Sequence, residues 1–63
     1  MANIETLKNE IDRAFRVLGA DVGLQQNAVD ITAWRKDGVI TDAEYHDLRK
    51  YNRRKYSELP LDM

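Results

Sequence analysis

The sequence predicts a small all-α protein, a three-helix domain that spans residues 1–63. Apolar residues recur at the three- and four-residue spacing that lines one face of a helix. Gly19 and Gly38 interrupt this pattern, and glycine is the residue that most often follows the last turn of a helix. A chain of 63 residues buries only a marginal core, so we expect efficient helix packing or self-association to stabilise it.

The first helix is predicted over residues 4–18. Asn3 is a good N-cap residue. The apolar face after it consists of Ile4, Leu7, Ile11, Ala14, Phe15 and Leu18. On the polar face, acids and bases stand three or four residues apart, and each such pair contributes about 0.2 to 0.5 kcal/mol. The pairs are Glu5 with Lys8, Glu10 with Arg13, and Asp12 with Arg16, which indicates solvated surface.

The second helix is predicted over residues 22–36. Gly19 suits the end of the first helix, and Asp21 is expected to cap the second. Its apolar spacing is carried by Leu24, Ala28, Ile31 and Trp34 or Arg35. The alternative is one long N-terminal helix, followed by a short C-terminal helix, that forms a dimer through a quasi-heptad face. That face would hold Ile11, Phe15, Leu18, Val22, Gln25, Val29 and Ala33. The three-helix arrangement is favoured because each glycine inside a long helix costs about 1 kcal/mol.

A sharply defined turn is predicted before the third helix. Gly38 suits the left-handed residue that closes the second helix. Thr41 is the expected N-cap of the third, and Glu44 at the third helical position completes a capping box. Ile40 and Tyr45 stand where they would form a hydrophobic staple. These cues agree with one another and place the third helix over residues 42–58, before Pro60.

The third helix is predicted to carry an apolar stripe and a basic stripe. The first holds Tyr45, Leu48, Asn52, Tyr56 and Leu59; the second holds His46, Arg49, Lys50 and Arg53. Asn52 interrupts the apolar stripe, and a position at its edge is favoured over a buried asparagine that fixes the register of an oligomer. Tyr51 lies off the apolar stripe and is expected to be free for a partner.

The basic stripe is the strongest functional signal. Residues 49–55 include five bases and no acid. Arg49 and Arg53 have no acid three or four residues away, whereas Lys50 has Asp47 and Arg54 has Glu58. A solvated charged face is the ordinary interpretation of such a run. The functional hypothesis is a partner-binding patch, with Trp34 as a further anchor, made of Arg49, Lys50, Tyr51, Arg53, Arg54 and Trp34.

Several classes of function are disfavoured. With no cysteine and one histidine, the chain lacks the residues of a disulfide framework or a usual zinc site. His46 stands one turn after Asp42, but no nucleophile accompanies it in a known motif. We therefore expect that the protein is not an enzyme and that it binds neither a cofactor nor a metal. The polar N-terminus does not resemble a signal peptide and no segment has membrane-spanning length, so a cytoplasmic location without a membrane partner is expected.

The segment Asp-Gly-Val-Ile-Thr-Asp-Ala-Glu-Tyr between two helices, residues 37–45, resembles two families. One is the short helical module called SHOCT, and the other is the XkdX type of small phage protein. The resemblance covers residues from about 34 to 59. It implies an oligomerisation or protein-interaction role in a phage-associated setting, and it transfers no catalytic residue.

Together these observations predict a non-enzymatic interaction module that binds or inhibits another protein and forms a homo-oligomer. The alternative is nucleic-acid binding through the basic face of the third helix. The formal net charge of −1 argues against that alternative, because phosphate binding favours a strongly basic domain.

Overall fold

The computed structural model describes residues 3–59, which form three helices. Helix α1 spans Ile4–Leu18, α2 spans Ala20–Lys36 and α3 spans Asp42–Glu58. The predicted all-α fold with three helices is confirmed. The alternative of one long N-terminal helix is wrong, because the chain reverses at a single residue between α1 and α2. No helix within residues 3–59 is both long enough and apolar enough to cross a bilayer.

Gly19 alone separates the first two helices. Its φ of 89° and ψ of 174° lie in a region that is open essentially only to glycine. Since no further linker is needed, α2 begins two residues earlier than predicted. Asp21 is therefore already inside the helix, and the expectation that it caps α2 is wrong; its carboxylate instead accepts a 2.7 Å hydrogen bond from the Tyr56 hydroxyl.

The end of α2 is closed by a pair of backbone hydrogen bonds around Gly38. The φ of this glycine is 77°, in the left-handed region as predicted. Its N–H donates to the Arg35 carbonyl at 3.1 Å, while the N–H of Val39 donates to the Trp34 carbonyl at 2.8 Å. This pattern is the Schellman motif, which satisfies carbonyls at the helix end and turns the chain away.

The start of α3 is fixed by the predicted capping box. The Thr41 hydroxyl accepts from the Glu44 N–H at 3.1 Å, and the Glu44 carboxylate accepts from the Thr41 N–H at 2.8 Å. Ile40 and Tyr45, the predicted staple, are both buried in the core. The turn is thus anchored by backbone hydrogen bonds on one side and by apolar packing on the other.

The three helices form an up-down-up bundle. Helix α2 runs antiparallel to α1, as two neighbouring pairs show: Ile11 lies beside Asn27, and Phe15 lies beside Gly23. Helix α3 returns antiparallel to α2. A hydrogen bond from Tyr56 to Asp21 joins the end of α3 to the start of α2, and one from Arg35 to Asp42 joins the end of α2 to the start of α3. Helix α2 packs on both neighbours, and α1 and α3 touch each other less extensively.

Helix α2 contributes least to the apolar core. The buried apolar residues are Leu7, Ile11, Phe15, Ile31, Ile40, Tyr45 and Leu48, of which only Ile31 belongs to α2. The rest of the buried face of α2 consists of Gly23 and Asn27. At Gly23 a side chain would meet the Phe15 backbone at 3.0 Å, so glycine here allows α1 and α2 to approach closely. Leu18, expected on the apolar face of α1, is 43% exposed.

Two buried asparagines connect all three helices. The Asn27 amide donates to the Asn52 side-chain oxygen at 3.0 Å and to the Ile11 carbonyl at 3.2 Å. Asn52 in turn donates to the Leu24 carbonyl at 3.2 Å. Asn52 is only 3% exposed, so its predicted position at the edge of the apolar stripe is wrong. Burial is tolerated because, within residues 3–59, every buried side-chain nitrogen and oxygen has a hydrogen-bond partner.

Candidate protein-interaction surfaces

Four of the five lysines and arginines of α3 divide between two grooves. Arg49 and Arg53 border a groove of about 250 Å³ between α2 and α3. Lys50 and Arg54 line another, of about 260 Å³, on the α1 side of α3. The sequence predicts one patch that contains all four residues. Successive residues of a helix differ by about 100° in direction, so the four cations are distributed over two flanks of α3.

The groove between α2 and α3 combines an apolar floor with a cationic rim. Leu24 and Ala28 supply apolar surface from α2, and Arg49 and Arg53 stand on the α3 side. Arg49 is held in place, because its guanidinium donates to the Tyr45 hydroxyl at 3.0 Å. This hydrogen bond is the main reason that the pKa of Tyr45 lies below its usual value. One guanidinium is therefore fixed at the rim.

Neither arginine of this groove is paired with an acid among residues 3–59. The ion pairs within this range are Lys8 with Glu5 at 3.9 Å and Arg35 with Asp42 at 2.8 Å. The Glu5–Lys8 prediction is thus confirmed. The other expected pairs are not formed, namely Glu10–Arg13, Asp12–Arg16, Lys50–Asp47 and Arg54–Glu58. Exposed pairs gain little over hydration, so these side chains remain in solvent or find other partners.

The groove between α1 and α3 is organised around Tyr51. Its hydroxyl donates to both carboxylate oxygens of Asp12, at 2.9 and 3.0 Å. Three cations surround the ring, with Lys8 at 5.2 Å, Lys55 at 5.6 Å and Arg54 at 5.9 Å from its centroid. Burial, followed by the hydrogen bond to Asp12, raises the pKa of Tyr51 to about 12. The expectation that Tyr51 is free for a partner is wrong, because it joins α3 to α1.

Trp34 and His46 have local roles in the structure. Trp34 is half-buried against the core beside the turn, and its carbonyl accepts from the Val39 N–H. It lines neither groove. His46 is exposed and its ring meets the Tyr45 ring edge-on at 5.4 Å. Asp42, its expected neighbour, accepts from Arg35. No group of three or more metal-ligating side chains occurs within residues 3–59.

The outer face of α2 is a third surface that the sequence-based site prediction missed. Between Val22 and Ala33, all the exposed residues of α2 are uncharged: Val22, Gln25, Gln26, Val29, Thr32 and Ala33. Val22 is 57% exposed and Val29 is 62% exposed. Val22, Gln25, Val29 and Ala33 of this face also belong to the quasi-heptad pattern, which by itself predicts the buried seam of one long helix. We call these six residues the outer face of α2.

A scan against protein-family models and searches of curated proteins and of solved structures found no match to this chain.

Proposed function

We propose that this protein is a non-enzymatic interaction module that binds an acidic amphipathic helix of another protein in the groove between α2 and α3. The observation that carries the proposal is the pair of arginines, Arg49 and Arg53, beside the apolar floor formed by Leu24 and Ala28. Both guanidinium groups lack an acidic partner within residues 3–59. A ligand that supplies carboxylates together with apolar side chains would satisfy both parts of this groove.

The spacing of the arginines specifies the partner further. Residues four apart in a helix are separated by one turn, about 6 Å along the axis. Glutamates or aspartates one turn apart on a partner helix have the same spacing, and a guanidinium binds a carboxylate with two parallel hydrogen bonds. Apolar side chains on the adjacent face of that helix would cover Leu24 and Ala28, which is the helix-in-groove mode of recognition.

Inhibition would be the consequence wherever the captured helix belongs to the working surface of its own protein. The resemblance of residues 34–59 to SHOCT and XkdX-type sequences supports the same class of function and suggests a phage-associated setting; the cytoplasmic location expected from the polar N-terminus is part of the same proposal. The groove itself requires only a protein segment of the stated chemistry.

Nucleic-acid binding is the competing proposal, and one observation favours it. Arg49, Lys50, Arg53 and Arg54 are all exposed and have no ion-pair partner within residues 3–59. Against it, the chain carries a formal net charge of −1, and Asp47 lies beside Lys50 and Arg54 in the second groove. Phosphate contacts would draw on cations from both flanks of α3, whereas an amphipathic helix would use only the flank with the apolar floor.

Two matched double variants separate these proposals. Arg49→Ala with Arg53→Ala removes the cations of the α2–α3 groove, and Lys50→Ala with Arg54→Ala removes the same formal charge from the other flank. Each protein is titrated with a capped amphipathic helical peptide that bears leucines on one face and glutamates one turn apart beside them. A peptide with glutamine in place of glutamate is the ligand control. A short DNA duplex is the competing probe.

We expect the glutamate peptide to bind the wild type and the Lys50/Arg54 variant alike, and the Arg49/Arg53 variant about ten-fold more weakly. The glutamine peptide should bind all three proteins weakly. The proposal is overturned if the glutamate peptide does not bind the wild type, or if both double variants weaken it equally. Preferential binding of the duplex, with a steep loss of affinity in salt, would establish the nucleic-acid alternative instead.

A further inference from the structure

The outer face of α2 is unusual for this molecule. One third of the residues in the chain are charged, yet the span of α2 from Val22 to Ala33 contains a single charged residue, the half-buried Asp30, whose carboxylate accepts a 3.0 Å hydrogen bond from Gln26 at the edge of the outer face. Val22 and Val29 are seven residues apart, two turns of the helix, and so lie on the same side. The core requires neither side chain, since the buried face of α2 is formed by other residues.

We propose that a second copy of the chain docks on this face, with the two α2 helices antiparallel. In that orientation the outer-face residues of one copy match those of the other. A two-fold axis midway between residues 27 and 28 places Val22 of one copy opposite Ala33 of the other, and Gln26 opposite Val29. Each contact then occurs twice, as an isologous interface requires. The small Ala33 side chain leaves room for the valine opposite it.

Charge favours the antiparallel pairing over the parallel one. Exposed Asp21 precedes the outer face and exposed Lys36 follows it. An antiparallel pair brings the Asp21 end of each helix near the Lys36 end of the other, and it also opposes the two helix dipoles favourably. A parallel pair would instead bring Lys36 near Lys36. The last turn of α2 holds Arg35 and Lys36 and is followed by the single acid Asp37, so the charges at the ends of α2 favour the antiparallel orientation.

The size of the surface sets the expected strength. Helix α2 has 17 residues and is therefore about 25 Å long. One helix pair of this length buries less than the roughly 1,200 Å² that is typical of a stable interface. The dimer should accordingly be weak and concentration-dependent. It should also persist in salt, because the contacts of Val22, Val29 and Ala33 involve no charge.

This interface is separate from the groove that is proposed to hold the acidic helix. Arg49 and Arg53 belong to α3 and border α2 on one flank, whereas Val22 and Val29 point away from the core. Gln25 is the residue that the two surfaces share. A variant that abolishes self-association can therefore retain peptide binding, and each proposal can fail without the other.

The test is sedimentation equilibrium of the full chain between about 10 μM and 1 mM, the range in which weak association is measurable. The test variant is Val29→Lys, and the matched control is Val17→Lys. Val17 is 70% exposed on α1, so both substitutions place a lysine at a solvent-exposed helical valine. Circular dichroism of each variant verifies that the helices are intact.

We expect the wild type and the Val17 variant to shift from monomer to dimer as concentration rises, and the Val29 variant to remain monomeric. The shift should be nearly the same at low and high salt. A wild type that stays monomeric up to about 1 mM contradicts the proposal. So does a Val29 variant that dimerises like the wild type, or a Val17 variant that becomes monomeric as well.

Discussion

The outer faces of α2 and α3 differ in the kind of contact that each offers. The outer face of α2 presents valines, glutamines, a threonine and an alanine, and the one charged residue between Val22 and Ala33 is the half-buried Asp30, which accepts a hydrogen bond from Gln26. The outer face of α3 presents Arg49, Lys50, Arg53 and Arg54, none of which is paired with an acid within residues 3–59. Both helices nevertheless contribute a buried asparagine to the same hydrogen-bonded network.

This contrast shows that buried and exposed faces are not simply apolar and polar in this protein. Helix α3 buries Tyr45 and Leu48 together with Asn52 and keeps its cations outside. Helix α2 buries Asn27 as well, but it differs in leaving Val22 and Val29 outside. These two exposed valines are the side chains that the proposed docking of a second copy would cover.

The largest expected effect separates the inner and outer faces of α2 directly. Ile31 is fully buried, so Ile31→Ala should lower the free energy of unfolding by about 2 to 5 kcal/mol. Val29→Ala, two residues away, should change it by less than about 0.5 kcal/mol, because the side chain is exposed. Urea denaturation at low protein concentration, where the monomer prevails, measures both. Comparable losses for the two variants would show that Val29 belongs to the core.

An intermediate effect is expected from the asparagine network. Asn27→Ala removes the hydrogen bond to buried Asn52 and should cost about 1 to 3 kcal/mol, since a polar oxygen then loses its partner. Gln25→Ala removes a side-chain amide from the outer face of the same helix and is the matched control. We expect little change for Gln25→Ala in the same denaturation experiment. An unchanged free energy of unfolding in Asn27→Ala would mean that the network does not stabilise the fold.

The smallest effect concerns the flank of α3 that faces α1. The pKa of Tyr51 is raised to about 12 in the folded protein, while an unfolded tyrosine has a pKa of about 10. Because the neutral hydroxyl is favoured by folding, this contribution is complete below pH 10 and is lost as the pH rises from about 10 to 12. Wild type should therefore lose more stability than Tyr51→Phe over this interval.

Alkaline denaturation of the two proteins in parallel measures this difference. Tyr45 and Tyr56 titrate in both, so their contributions cancel in the comparison. Parallel curves would show that the Tyr51–Asp12 hydrogen bond does not favour the neutral tyrosine. Either result also reports on whether Tyr51 is engaged with α1 in solution.

Local sequence cues predicted most of the fold. The capping box at Thr41, the left-handed Gly38 and the apolar spacing of α1 from Leu7 to Phe15 each depend on near neighbours in the chain, and each is confirmed. The start of α2 was placed two residues late, because a break made by one glycine leaves no linker to recognise. Asn52 was placed at the edge of the bundle since its partner Asn27 lies 25 residues away, a distance that helical periodicity does not bridge.

The candidate surfaces were only partly predictable for the same reason. The basic run of α3 is visible in the sequence, but its division between two grooves depends on where α1 and α2 pack. Tyr51 looked free because its partner Asp12 belongs to α1. The outer face of α2 was hidden by its own pattern, since valines at heptad spacing are typical of a buried seam, and only the packed structure shows that the core uses the opposite side.

Amide chemical shifts recorded at about 50 μM and about 1 mM test self-association through the outer face of α2 without any substitution, because they show which residues change their surroundings when two molecules bind. We expect concentration-dependent shifts at Val22, Gln26, Val29 and Ala33, with Arg49 and Arg53 unchanged. Shifts confined to α3, or none anywhere in residues 3–59, would contradict this expectation.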